Sequence, residues 1–375
     1  MKAHRLLTAS RAGALAALLL VVGVPTARAQ SYSASSDQPA SWDAMHRRFS
    51  TRDGSSGGLS LADASTGEVG SLRLQLVLSS FPADDFLTSG VKVAQSEQVL
   101  SVSVTALSEL EVFASLSGRG TSSQVSTPGS LQAQTAALGM KLAWPVVDSF
   151  HLGGELSAQF QNELGGQMPL LKATSIGLRA LASFDARELP QPAPFVARFN
   201  LGYLFDNSAL TIEELEDARY AALSKPRLRA NEQRNLVTRY ERYALGINRV
   251  DQFTLGLGVD APIEVAERLV LSPLLEWKFG VPVNRQAYDC FVPTSAPLVD
   301  GGVDGGDRCL GEVGASAWPM DLALGVRVVP PIRGVTMSLA LDLGLTGSSA
   351  FVRELAPSSP FTLMLALGYD YDARP

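Results

Sequence analysis

"FTLMLALGYDYD", residues 361–372, alternates without interruption. Phe361, Leu363, Leu365, Leu367 and Tyr369 share one parity, and Thr362, Met364, Ala366, Gly368 and Asp370 share the other. Side chains alternate faces along a strand, so this segment reads as a strand with one oily face and one small or polar face. The oily face meets either a protein core or a lipid.

The same alternation recurs upstream, with apolar faces at 72–78, 100–104, 110–116, 138–144, 152–160, 176–184, 195–203, 253–259, 271–279, 320–326 and 335–343. With 361–372 this makes about twelve strands, each long enough to cross a membrane at a tilt. The count is even when 243–251, a weakly strand-like stretch, is read as the tail of an inserted helix. Short turns at 106–110, 144–150 and 328–334 alternate with longer loops. If the long loops are extracellular, both termini fall in the periplasm.

The faces opposite the leucines bear on core against lipid. They carry Arg73, Glu111, Arg119, Lys141, Glu155, Arg179, Arg198, Asp260, Glu276, Lys278, Asp321, Arg327 and Asp342, interleaved with Gly, Ser, Ala and Thr. Mixed acids and bases among small residues suit a crowded lumen, where they pair across the interior, better than a solvated surface. Trp144, Phe184, Tyr203, Trp277, Phe279, Tyr369 and Tyr371 lie toward strand ends, where an interfacial girdle belongs. The expected fold is therefore all-β, a transmembrane antiparallel up-and-down barrel of about 12 strands over 65–375, with a helical hairpin insertion. A secreted soluble β-protein with the leucine faces as its core is the competing expectation.

The N-terminus points to export. Lys2, Arg5 and Arg11 precede an apolar run at 12–24, followed by Ala27, Arg28 and Ala29. This is the pattern of a secretory signal peptide at 1–29, cleaved after Ala29 and leading to the outer membrane of a Gram-negative bacterium. Four of the 31 Lys and Arg, and none of the 37 Asp and Glu, lie in that segment, so the remainder carries a formal charge of −10. Such a balance argues against nucleic acid as a partner. Residues 30–64, rich in Ser, Gly and Asp and without apolar period, read as a flexible periplasmic tail.

Two insertions interrupt the strands. In 207–250, Thr211 with Glu214 forms a capping-box pattern before a helix to about residue 223, and Pro226 opens a second helical stretch carrying Arg227, Arg229, Arg234, Arg239 and Arg242. Parity places this hairpin outside the cell or folded into the barrel mouth, as a plug, gate or docking element or as a solvated loop. The second insertion, 282–315, holds Cys290 and Cys309, which an oxidising compartment allows to pair. Asp300, Asp304 and Asp307, separated by Gly pairs, could offer oxygens to a calcium ion, although Asp with Gly also serves any tight turn.

Enzyme chemistry is scarce. After residue 29 the only histidines are His46 and His151, and no nucleophile elbow or phosphate-binding glycine loop occurs. No cofactor other than the calcium is expected.

The phrases "LGYLFDNS" (201–208), "RYALGINRVD" (242–251), "PVNRQAYDC" (282–290) and "SAFVRELAPSSPF" (349–361) resemble the N-terminal barrel of OmpA-family outer-membrane proteins of myxobacteria. The resemblance implies an envelope protein surrounded by outer-membrane lipid and lipopolysaccharide. Two functions are open: a narrow channel for small solutes, or a non-conducting barrel that docks envelope proteins through its loops or tail.

Overall fold

The structure, a computed structural model, describes residues 49–124, 129–162, 171–222, 236–266, 268–285, 288–290 and 307–372. Its strands are β1 (Ser71–Asp84), β2 (Lys92–Leu107), β3 (Leu110–Ser123), β4 (Ser130–Val147), β5 (Phe150–Asn162), β6 (Leu171–Asp185) and β7 (Val196–Phe205), then β8 (Asp251–Asp260), β9 (Ile263–Ala266), β10 (Leu269–Asn284), β11 (Met320–Val329), β12 (Val335–Thr346) and β13 (Phe361–Asp372). Each barrel strand pairs antiparallel with the next, and β13 returns to β1 with Leu367 opposite Leu76. The sheet therefore closes on itself. β9 is a four-residue piece paired only to the start of β10. It is cut from β8 at Ala261 and Pro262, and a proline cannot donate to the ladder. Twelve strands make the ring.

Exposure identifies what the oily face meets. On β13, Leu363, Leu365, Leu367, Tyr369 and Tyr371 are exposed, while Met364 and Ala366 are buried. The same holds around the ring: Leu74, Leu76 and Leu78 on β1, Leu116 on β3, Leu138 to Trp144 on β4, and Met337 to Leu341 on β12 show every second side chain outward and apolar. Inside are buried Arg73, Glu111, Lys141, Glu155, Arg198, Asp260, Glu276 and Arg327. A water-soluble barrel would invert that arrangement, because ionised groups stay in water and apolar ones leave it. The outer belt is a lipid face. Phe361, at the start of β13, instead packs on Phe81 at the barrel mouth, ring centroids 5.1 Å apart.

Two expectations change. Residues 49–64, read as the end of a flexible tail, are folded inside the ring, with Thr51, Ser55, Ser56, Leu61, Ala62, Asp63 and Ala64 all buried. Small polar residues fail to form a core of their own, but they are what a polar lumen accommodates, so composition alone misleads here. Residues 1–48 lie outside the described residues. The inserted helices also differ in detail. Ser208–Ile212 forms a 3-10 turn leading into α1 (Glu213–Ala222), and the Thr211 hydroxyl donates to the Ser208 carbonyl at 2.7 Å instead of capping a helix. α2 (Arg239–Leu245) starts at Thr238, whose side chain and Glu241 form a reciprocal capping box, and it ends at Gly246 with φ +68°. Pro226, Arg227, Arg229 and Arg234 lie outside the described residues.

Leu116, in the middle of β3, is 63% exposed on the belt. Replacing it with Arg is expected to destabilise the barrel by about 2–4 kcal/mol, the range for a cation on the lipid face near the bilayer midplane. Leu116→Phe should be near neutral, and urea unfolding in lipid vesicles measures both.

Candidate functional site

Each of the thirteen charged positions named from the sequence has an ion-pair or hydrogen-bond partner within the chain. At the end of the ring carrying the short turns, residues 49–68 form a plug whose backbone is gripped by the wall. Glu111 accepts the Ser56 and Gly67 N–H groups at 2.6 and 3.1 Å. Glu276 accepts those of Leu59 and Ser60, each at 2.8 Å. Asn200 both accepts from the N–H of Ala62 and donates to its carbonyl, at 2.9 Å each, and the Ser183 hydroxyl accepts from Ala64 at 2.8 Å. Arg327 and Lys141 donate to the carbonyls of Gly57 and Ser56 at 2.6 and 3.1 Å. A Cβ at Gly58 would overlap the Glu276 carboxylate, so the close approach at that point requires glycine.

The wall charges also pair with one another and with the plug. Arg73 and Lys141 lie 2.6 and 3.5 Å from Glu111. Arg198 bridges Asp260 of β8 and Asp63 of the plug, each at 2.6 Å, and Arg327 pairs with Asp260 as well. Arg179 pairs with Glu155. Lys278 lies 2.9 Å from Asp342 and 3.8 Å from Asp321. Arg119 meets Glu97 at 3.5 Å, and Arg52 of the plug takes the same carboxylate. Arg52 and Asp63 were hidden by their place in an apparent tail. Glu97 was not: it has the inward parity of β2 and could have been found by extending the strand upstream of Leu100.

The other end of the ring is capped by the loops. Phe81, Phe86, Leu87, Val93 and Leu131 enclose Tyr240, Tyr243 and Ala244 of α2 in a buried apolar cluster. Smaller clusters join Ile212, Val237 and Ile247, and Val250, Ala317, Val352 and Leu355. Asp307 accepts from Arg239 at 2.8 Å and pairs with Arg242. Arg249 lies 2.7 Å from Glu216 and 4.9 Å from the Tyr288 ring centre. Glu354 accepts the Leu310 N–H and faces Arg285 at 3.5 Å. Cys290 and Cys309 form a disulfide.

The Asp307 carboxylate is taken by the guanidiniums of Arg239 and Arg242. Asp300 and Asp304 lie outside the described residues.

Between plug and cap the lumen is hollow. One cavity of about 420 Å³ is bounded below by Arg52 and Asp53 and above by Leu245, Gly246 and Asn248. A second, of about 220 Å³, shares Arg52, Glu97, Arg119 and Gly246 with it and extends to Asp321 and Asp342.

No protein-family model matches the chain, and no curated protein matches it. Solved structures share its architecture at low identity. An outer-membrane channel from Pseudomonas putida F1 is 12% identical, with 84% of this chain and 100% of that one covered and a TM-score of 0.49. The translocator domain of the autotransporter NalP from Neisseria meningitidis is 11% identical, covering 81% and 89%, with a TM-score of 0.43. The CymD monoaromatic hydrocarbon channel is 10% identical, covering 82% and 90%, with a TM-score of 0.37. These likenesses carry nothing about cargo, and the architecture stands on the closed ring itself.

The cap has a pH dependence of known sign. Burial alone would raise the Asp307 carboxyl, but Arg242 and Arg239 outweigh it and hold the group below its ordinary value. A depressed carboxylate contributes stability that is present above its unfolded pKa and is lost as pH falls through the folded value. Corrected for intrinsic exchange, the amides of α2 should exchange faster as pH drops below about 4. Asp307→Asn should show fast exchange already at neutral pH.

Proposed function

We propose that this barrel is an outer-membrane channel for small solutes, shut at rest by residues 49–68. The supporting observation is that the lumen is hollow above the plug, while the plug is held mainly by hydrogen bonds and ion pairs that water can replace, with only two small apolar contacts, Phe49 on Val270 and Val329 and Ala62 and Ala64 on Leu181. The cap, by contrast, rests on a larger apolar cluster and a disulfide. Twelve strands lie between the eight of filled barrels and the sixteen to eighteen of open porins, so a ring of this size needs a stopper to be closed.

The plug end, which also carries Ser71 and Asp372, faces the periplasm in this reading, and the long loops face outward. Export by the signal segment, cleavage after Ala29, a Gram-negative host and kinship with OmpA-family barrels belong to the same proposal. The reading is non-enzymatic. The likenesses to channel structures agree with it without adding weight. A second reading, a non-conducting barrel with an envelope-docking role, is favoured by the closure of both ends.

Planar-bilayer conductance separates the two. The mature protein is expected to open rarely, and Gly58→Leu, which forces the plug off Glu276, should raise the open fraction by at least about tenfold. Silence from Gly58→Leu protein shown to be folded and inserted would favour the non-conducting barrel.

A further inference from the structure

The chamber between plug and cap has a chemistry of its own. Its wall runs from β2 to β7 and presents Ser115, Thr135, Gln159 and Gln161 interleaved with Val99, Ala137 and Leu204. No aromatic ring occurs among the described residues lining the larger cavity. Its volume of about 420 Å³ falls within the range of small-molecule sites, roughly 300–1,000 Å³. Gln161 Oε1 and Arg119 Nε are buried on this wall without a hydrogen-bond partner among the described residues.

The charges in the chamber are offset. Glu97 sits between Arg52 and Arg119, forming a ridge that separates the two cavities. Asp206, at the roof, accepts from the Ser208 N–H at 2.8 Å and from Asn248 at 2.8 Å. In the larger cavity Arg52 and Arg119 stand against Glu97, Asp53 and Asp206, a formal balance of −1, so an anion is disfavoured and a cation gains little, because Glu97 is already paired with both arginines. An apolar solute would strip water from hydroxyl and amide groups without replacing its hydrogen bonds. A solute bearing several neutral hydroxyls replaces them. Alternating guanidinium donors and carboxylate acceptors along the ridge also match vicinal hydroxyls, which both donate and accept.

We infer that the chamber binds a small, neutral, polyhydroxylated solute of about monosaccharide size. This rests on the channel reading above for its physiological meaning, but the binding itself does not require conduction. Without an aromatic platform, binding is weak, as passage through a conduit requires.

The test is saturation-transfer difference NMR on the refolded mature protein in detergent micelles, with D-glucose as probe and glucose 6-phosphate and glucosamine as charged analogues. Gly58→Leu, and separately Glu276→Ala, which removes the acceptor of the Leu59 and Ser60 N–H groups and keeps Arg52 in place, give two routes of access past the plug. In either unplugged protein, glucose protons should saturate about fivefold more than those of either analogue. The signal should fall to the analogue level when Thr135→Val and Gln161→Leu are added. Equal signals from all three probes, a glucose signal untouched by the wall substitutions, or no saturation in either unplugged protein would overturn the inference. Conductance without sugar preference would sink the inference alone, whereas selective sugar binding with silent bilayers would sink the channel reading alone.

Discussion

A buried charge inside a membrane barrel must be paired, and this lumen is organised around that requirement. Glu111, Lys141, Glu276 and Arg327 are among the largest fully buried side chains of the protein. Leaving any of them without a partner in a low-dielectric interior would cost several kcal/mol. Some partners come from other strands of the wall, as with Arg73 of β1 on Glu111 of β3 and Arg198 of β7 on Asp260 of β8. Others come from the backbone of residues 49–68, without which Glu276 would lose both of its N–H donors. The plug therefore completes the electrostatics of the wall as well as filling space.

The two closures differ in balance: the plug buries only small apolar contacts, Phe49 with Val270 and Val329 and Ala62 and Ala64 with Leu181. Apolar burial of the sort that surrounds Tyr240 and Tyr243 is lost outright when the surfaces part, at about 25 cal/mol per Å². A backbone hydrogen bond exchanged for one to water changes stability by only about 1 kcal/mol. Ring contacts reinforce the contrast, since Phe81, Phe86 and Tyr243 meet edge to face at 5.1–6.2 Å in the cap, whereas the only ring in the described plug is Phe49, under Arg327.

The ring was legible because a lipid face imposes a strict two-residue period: Leu363, Leu365 and Leu367 cannot trade places with Met364 and Ala366 without exposing polar backbone neighbours to hydrocarbon. The inward charges followed from the same parity. The plug was not legible, since its wall contacts run mainly through backbone N–H and C=O groups that every residue carries, and its Gly, Ser and Asp content is shared with disordered chain. The pairing of Asp307 was not legible for a related reason: its arginine partners lie in α2, far away in sequence.

The position of the plug just ahead of β1 bears on how the barrel is assembled. The pairing of β1 with β13 joins the two most distant strands of the chain, so it carries the largest loop-closure entropy and waits for the last strand to be made. Residues 49–68 touch Glu111 on β3, Ser183 on β6, Asn200 on β7, Glu276 on β10 and Arg327 on β11. In the closed barrel one short segment therefore ties five strands to one another across the interior. What blocks the lumen is also the cross-tie between far sides of its wall.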